Sequence, residues 1–498
     1  MPSEPVASGD VVLAIDQGTS ATKAVVVTGQ GEISHRTTVP IHQSHPQPGW
    51  AEQDPIEIWQ SVQRAVADVL AEAQPRRVVA VGFSTQREST LLWDRRTGEP
   101  LGPVLGWQDT RGAHLCARLR GAGHADRIRD LTGLPLDAMF SASKAAALLD
   151  RYDPDRSRSV QGDLCLGTID SWLLWRLGGR HLIETGNAAR TQLLDISSCR
   201  WDSWLLDLFD VPLQTLPEVT PSTGPFGTCG DLHPSLREVP VTGVLGDSHA
   251  ALFAHAGWTG GRVKVTYGTG SSVMGVATGA EKSGGVARTI AWQLGEPTYA
   301  LEGNIRSSGA TLVWLARLLS STPAELAAAA APDSQGVFIV PAFTGLGAPW
   351  WDDGARAMLA GLTDSTGPAQ LARAALESIA FQIEDVVAAV EQAGGPVRII
   401  LADGGPSANS TLMQLQADTS GRRVRTSSAA ELSALGAAHV AGLGAGLWSI
   451  ADLDRLSRAG AEYEPAATEP ARQQRLDGWH AAVAAARDLP LRASRSAA

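Results

Sequence analysis

Cysteine is scarce in this chain, and the few present are not arranged for chemistry. Cys116, Cys165, Cys199 and Cys229 form no CxxC pair, so a zinc or redox motif is not expected. Buried or incidental thiols in a reducing compartment are the plainer expectation. Positive charge is also in deficit: 41 Lys and Arg against 52 Asp and Glu give a formal charge of −11. Such a chain has no broad pull on nucleic acid or anionic lipid, and neither is expected as a partner. A local basic pocket for a nucleotide remains compatible with that total. No apolar run is long enough to span a bilayer. Met1 to Asp10 carries two acids and no Lys or Arg, unlike the basic start of a secretory signal. The expected location is cytoplasmic. Two nucleotide motifs are missing as well. Without GxxxxGK[ST] there is no P-loop, and without a GxGxxG opening a helix a dinucleotide fold has no support.

What is present is an ordinary globular composition of 44% hydrophobic and 19% charged residues over 498 positions. That length predicts two or three domains, because single cores stop growing near ~250–300 residues. After a loose tail of ten residues, Val11–Ile15 is a continuous apolar run. A turn at Asp16–Ser20 follows, then a β-branched run at Ala24–Val27 and a third strand within Glu32–Val39. This is a meander; a βαβ unit would need a helix after the first turn. Asp54-Pro55 supplies an N-cap and a first-turn proline for a helix over Pro55–Ala73, with Ile56, Trp59, Val62, Val66 and Val69 at helical spacing. Val78–Phe83 reads as a buried strand, and Leu91–Trp93 and Val104–Trp107 as two more. Helices are predicted over Leu115–Thr132, Ser143–Asp150 and Ile169–Leu177. Pro212–Pro240 holds six prolines and no sustained period, so it reads as an irregular connection.

A second strand–glycine turn–strand pattern follows at Arg262–Ala277, about 250 residues after the first. Two such hairpins predict two domains of related build. Later elements are helices at Gly309–Leu319, Gln370–Ala393, Asn409–Thr419 and Leu432–Gly442, and strands at Gly336–Val340 and Val397–Ala402. A final helix and a frayed tail are expected after Pro465.

Three turns carry the chemistry. In Asp16-Gln17-Gly18-Thr19-Ser20-Ala21-Thr22-Lys23, Gly18 permits a tight turn and close approach to an anion. Its N–H groups and the Thr19, Ser20 and Thr22 hydroxyls can surround a phosphate. Lys23 adds a point charge, and Asp16 can hold magnesium directly or through water. Tyr267-Gly268-Thr269-Gly270-Ser271-Ser272 repeats the setting in the second half. Leu401-Ala402-Asp403-Gly404-Gly405 follows a strand, with Asn409 opening a helix whose N-terminus suits a nucleotide. Each turn alone also reads as an ordinary polar hairpin; three in this order, each after an apolar run, are stronger together. A phosphate grip of this kind in each of two domains points to an actin-like architecture.

Several segments resemble the FGGY carbohydrate kinases, and most closely the glycerol kinase pattern. They include Asp16–Lys23, Pro48-Gly49-Trp50-Ala51-Glu52-Gln53-Asp54-Pro55, Thr85-Gln86-Arg87-Glu88, Gly106-Trp107-Gln108, Gly246-Asp247-Ser248-His249, Tyr267–Gly270, Val340–Asp352 and Asp403-Gly404-Gly405. The match keeps its order from about Val11 to about Glu464. It implies an α/β fold of two actin-like (ribonuclease H-like) domains with an interdomain catalytic cleft, over 11–250 and 251–465, then a C-terminal helix and tail over 466–498. It implies an ATP-dependent kinase acting on a terminal hydroxyl of glycerol or a related small polyol or ketose, with ATP and Mg2+ as cofactors. Homodimer and homotetramer both stay open.

The resemblance also implies roles. Asp247 matches the catalytic carboxylate, which would accept the hydroxyl proton; it also reads as a helix N-cap. Arg87 and Glu88 match a pair that hydrogen-bonds vicinal hydroxyls, although a surface ion pair is the bland alternative. Trp107 matches an apolar wall. Thr19, Ser20, Lys23, Thr269, Gly309, Gly405 and Asn409 match nucleotide-binding positions, and Asp16 and Asp247 match magnesium positions. Three substrate positions depart from glycerol kinases. Met139 stands for a tyrosine, Ser248 for a glutamine, and Ser271-Ser272 replaces an aromatic residue. The pocket is expected to be larger and differently polar, suiting a four- or five-carbon polyol or ketose. Cys229–Ser235 lacks the glycine- and lysine-rich loop of kinases controlled by fructose 1,6-bisphosphate, so that control is not expected. Rival readings are an actin-like ATPase without sugar chemistry and a sugar-binding regulator without turnover.

Overall fold

A computed structural model describes residues 9–75, 77–277, 284–427, 429, 431–456, 458 and 460–488. It divides into two compact units. The first comprises 1–256, 288–299 and 431–457; the second comprises 257–287, 300–430 and 458–498. The division is not linear in the chain. Among the described residues no helix is long and apolar enough to cross a membrane.

The first unit is built on a five-stranded sheet. Its strands are β1 (Asp10–Gln17), β2 (Ala21–Thr28), β3 (Ile33–Pro40), β4 (Arg77–Thr85) and β5 (Val241–Gly246), in the order β5-β4-β1-β2-β3. The meander is antiparallel, whereas β4 lies parallel to β1 and β5 parallel to β4. Val12 to Ile15 are completely buried, which is why that central strand reads as an unbroken apolar run. Asp10 already belongs to β1, so the loose tail expected there is shorter; residues 1–8 lie outside the described residues.

The Pro55–Ala73 helix begins as expected, with Asp54 Oδ1 accepting from Ile56 N at 2.8 Å. Its buried face includes Ile58, Trp59, Val62, Val66 and Val69. The helix Leu432–Gly444 packs directly on the sheet. A Cβ added to Gly82 would lie 2.4 Å from Ala437 O, and one on Gly243 would lie 2.4 Å from Ala441 N. Only glycine allows that approach. A smaller sheet joins Glu52–Gln53, Val104–Leu105, Thr90–Asp94 and Leu164–Thr168. The helix predicted over Leu115–Thr132 is two, Ala113–Gly121 and Ala125–Thr132. Gly123, at φ 81°, breaks the run, as glycine in that conformation does. The Pro212–Pro240 connection is largely irregular, with short 3-10 turns and a three-residue strand, Glu218–Thr220.

The second unit repeats the plan. β6 (Arg262–Tyr267) and β7 (Ser271–Val276) form the hairpin, and β8 (Pro297–Ile305) pairs antiparallel with β7. β9 (Ile399–Asp403) lies parallel to β6, and β10 (Arg423–Thr426) parallel to β9, with β11 (Glu462–Tyr463) at the edge. The order β8-β7-β6-β9-β10 matches β3-β2-β1-β4-β5 strand for strand. The duplication expected from two hairpins is therefore real. The strand Ala287–Gln293 and strand β8 were not read from the sequence.

The long helix Pro368–Gly394 supplies much of this unit's core. The terminal helix Glu469–Asp488 docks through Leu476, Trp479 and Val483, with Trp479 stacked on Phe381 at 5.4 Å between centroids.

Candidate functional site

Gly18 N donates to Ala21 O at 3.0 Å, closing the turn between β1 and β2. In this register Asp16 stands opposite Lys23 on β2 and Ser84 on β4. Ser84 Oγ donates to Asp16 Oδ1 at 2.8 Å. Burial pushes the Asp16 carboxyl up to about 6, and the negative charge of Asp247 adds to that rise. Lys23 Nζ is 2.7 Å from Glu431 Oε2, a partner that sequence reasoning missed. Three glutamines tie the neighbouring motifs to this turn. Gln86 Nε2 donates to Gln17 Oε1 at 3.1 Å and to Gln53 Oε1 at 3.0 Å, and Gln53 Nε2 donates to Thr19 O at 2.7 Å. Trp107 Nε1 donates to Thr19 Oγ1 at 3.0 Å. The expected apolar wall and the expected phosphate turn therefore touch. Ser20, at the tip of the turn, is exposed.

Asp247 opens the helix Asp247–Ala254 directly after β5, and its Oδ1 accepts from Ser248 N at 2.6 Å. The N-cap position falls on Gly246 and no side chain caps the helix, so the capping reading of Asp247 does not hold and Asp247 is the first helical residue. Arg87 Nε lies 3.2 Å from Asp247 Oδ1 and 3.9 Å from Glu88 Oε1. Gly246 leaves room for this: a Cβ there would sit 2.6 Å from Arg87 Cγ and Cδ. Arg87 and Glu88 are both buried, so the surface ion pair considered above is not what the fold makes. Glu88 Oε1 accepts from Arg190 Nε at 2.6 Å.

Met139 is partly exposed, in a loop whose carbonyls Lys144 binds. Lys144 is fully buried and donates from Nζ to the carbonyls of Ala138 (3.2 Å), Met139 and Phe140 (3.1 Å). Burial lowers its pKa to about 8. Arg190 and Lys144 were both missed in the sequence. Their signal was weak, a single cation in otherwise small or apolar segments, Gly186–Ala189 and Ala145–Leu149.

In the second unit, the turn residues expected on the nucleotide side collect at the end of β6. Gly309 N donates to Gly268 O at 2.9 Å, and Ala310 N to Thr269 O at 3.0 Å. A Cβ on Gly309 would come within 2.6 Å of Gly268 O. Thr269 itself is exposed. Gly404, at φ 87°, lets the third turn close on the same strand end; a Cβ there would lie 2.0 Å from Tyr267 O. Gly405 begins a short 3-10 turn, and Asn409 Oδ1 accepts from Leu412 N at 3.0 Å as the cap of Ser410–Ser420. Ser271 Oγ donates to Ser308 Oγ at 2.7 Å.

Among the described residues no group of three or more His, Cys, Asp or Glu is arranged to hold a metal ion. Asp16 and Asp247 nonetheless fit a magnesium ion, which takes hard oxygen donors and keeps several waters. A cation beside them would offset the Asp247 charge that adds to the burial-driven rise of Asp16.

Residues 11–254 match the N-terminal domain of the FGGY family of carbohydrate kinases, and residues 263–445 match its C-terminal domain. A glycerol kinase of Aromatoleum aromaticum is 45% identical over 491 residues, 96% of this chain and 98% of its own. An apulose kinase of Pectobacterium atrosepticum is 43% identical over 490 residues, 96% and 99% of the two chains. The crystal structure of Plasmodium falciparum glycerol kinase with ADP superposes with a TM-score of 0.91 at 30% identity, covering 98% of this chain and 100% of that one. The chain belongs to the FGGY family of carbohydrate kinases and is an ATP-dependent phosphotransferase with an alcohol group as acceptor.

Proposed function

We propose that the acceptor is a four- or five-carbon polyol or ketose, phosphorylated on a terminal hydroxyl. The observation that carries this reading is the ion pair of Arg87 with Asp247 at 3.2 Å, which joins the acceptor-binding pair to the carboxylate that takes the proton. Arg87 and Glu88 bind vicinal hydroxyls, and Trp107 packs against the carbon chain. Met139 and Ser248 line the remaining acceptor surface. Smaller or more flexible groups there leave room beyond three carbons, and extra room rejects the smaller glycerol only weakly. Glycerol is the second reading, favoured by the 45% identical glycerol kinase; the apulose kinase, at 43%, favours the first.

In this reading Asp247 accepts the proton of the attacking hydroxyl as bonding to phosphorus develops. Thr19, Ser20 and Lys23 bind phosphate oxygens in the first unit; Thr269, Gly309, Gly405 and Asn409 bind nucleotide in the second. Asp16 and Asp247 would hold Mg2+, whose contribution is to neutralise charge on the transferring group. Exclusion of water from the reacting group keeps hydrolysis from competing.

The deciding experiment is ADP release from ATP with a panel running from glycerol through tetritols and pentitols to ketopentoses. The expected result is strong acceptor dependence, with the highest kcat/KM on a four- or five-carbon compound. A clear preference for glycerol would replace the first reading by the second. Turnover independent of every acceptor would favour an actin-like ATPase and sink both.

A further inference from the structure

Glu88 is held in an unusual way. Its backbone is left-handed, at φ 62°, a conformation that costs a non-glycine residue about 1 kcal/mol or more. Ser141 Oγ donates to its carbonyl at 2.9 Å. Its side chain is 6% exposed, and Arg190 Nε reaches Oε1 at 2.6 Å. Arg190 is itself 1% exposed, and its guanidinium carbon lies 5.1 Å over the Phe140 ring.

We propose that Arg190 is a positioning residue for the acceptor, aiming the Glu88 carboxylate so that it accepts a hydrogen bond from a substrate hydroxyl. The inference rests on the reading of Glu88 as an acceptor-binding residue. Removing one partner of a buried ion pair leaves an uncompensated charge that its surroundings rearrange to meet. A Glu88 carboxylate no longer held at Oε1 would turn away from the substrate hydroxyl. The other cations facing Glu88 are committed elsewhere. Arg87, from its own segment, stands 3.9 Å from Oε1 but 3.2 Å from Asp247 Oδ1, and its Nη1 is 3.3 Å from His249 Nε2. Lys144, from the Ser141–Tyr152 helix, acts on Glu88 through charge but donates to the carbonyls of residues 138–140. Arg190, following the Thr185–Ala189 helix, is the nearest cation.

The test uses the full-length enzyme and the preferred acceptor from the panel. KM and kcat for acceptor and for ATP are measured at neutral pH for R190M, R190K, E88Q and the double variant, with a thermal melt of each. R190M is expected to raise acceptor KM about 10- to 100-fold at neutral pH. ATP KM should change by less than about twofold, because the nucleotide does not meet Glu88 in this reading. R190K keeps the charge but not the fixed fork, and its acceptor KM should rise by about three- to tenfold. E88Q should raise acceptor KM by a similar factor, and R190M should add nothing to it in the double variant. An unchanged acceptor KM in R190M, or acceptor and ATP KM rising together, overturns the proposal. If the melt shows R190M unfolded, R190K decides, and an acceptor KM equal to wild type overturns it. An unchanged acceptor KM in E88Q removes Glu88 from the site, and the proposal with it. A raised KM in E88Q beside an unchanged one in R190M removes Arg190 alone.

Discussion

Arg87 Nε lies 3.2 Å from Asp247 Oδ1, so the carboxylate proposed to take the proton is held by a side chain proposed to bind the acceptor. Asp247 combines 38% side-chain exposure with a fixed partner, which suits a group that must meet substrate. Asp247→Asn keeps the shape and can still accept from Ser248 N, but it cannot take a proton. The expected outcome is a kcat lower by about 10²–10⁴-fold with ATP KM little changed. Steady-state kinetics on the preferred acceptor check it; near-normal turnover would remove Asp247 from the proton path.

Gly246 tests the same pair from the backbone. Its φ of −71° suits any residue, so Gly246→Ala brings no left-handed strain. The new Cβ would meet Arg87 at 2.6 Å and Asn187 Oδ1 at 3.1 Å, forcing the arginine aside. Acceptor KM should rise by about tenfold or more while the fold stays intact. A thermal melt within a few degrees of wild type, beside the raised KM, would separate displacement of Arg87 from general damage.

Lys144 makes a prediction with a definite sign. Its folded pKa is lowered from 10.5 to about 8, chiefly by burial, while Glu88, Asp109 and Asp137 oppose the fall. Between those values the unfolded chain binds more protons than the folded one. Stability from this residue therefore rises as pH climbs through that window, and the cost of the buried charge is fully present below it. Urea denaturation at pH 7.5 and 9.5 should show a rise in wild type that is smaller in Lys144→Met. The variant should also lose about 1–3 kcal/mol at the higher pH, because three loop carbonyls lose their donor. An identical pH trend in both proteins would contradict the shift.

Much of this was legible, for reasons that differ by residue. Asp54-Pro55 announces its helix through local chemistry alone, and the cap is made as read. The glycine turns announce the two hairpins, and at Gly270 the reason is close approach, since a Cβ there would lie 2.5 Å from Ile305 O. Residue roles came from resemblance, and the fold adds what resemblance did not carry. Lys144 and Arg190 looked like any solvated cation, because burial of a charge depends on partners far away; Arg190 meets Glu88 across 102 positions. Strand β8 contains Glu302, Gly303 and Asn304, which are poor strand formers, so its pairing comes from its neighbour β7. The return of the chain to the first unit at Glu431 has no local mark. It is specified by Gly82 and Gly243 meeting Ala437 and Ala441, and Thr242 Oγ1 donates to Ala441 O across 199 positions.

Asp385 gives a prediction remote from the site. Its Oδ2 accepts from Trp479 Nε1 at 2.8 Å and from Trp350 Nε1 at 3.2 Å, and Oδ1 lies 2.9 Å from His480 Nε2. One carboxylate thereby fastens the terminal helix to the long helix Pro368–Gly394. The bond to Asp385 raises the His480 pKa above 6.5. A raised pKa means the stabilisation is complete below the unfolded value and is lost as pH rises through the folded one. The side chain is 48% exposed, so solvent screening keeps that loss below about 1 kcal/mol. Melts from pH 6 to 8.5 should show a downward step in wild type that disappears in His480→Asn. Asp385→Asn should cost more, about 1–3 kcal/mol, because the buried indole donors then face an amide with one acceptor oxygen. If His480→Asn retains the step, another group carries it; if Asp385→Asn melts like wild type, the helix is held by Trp479 and Leu476 packing alone.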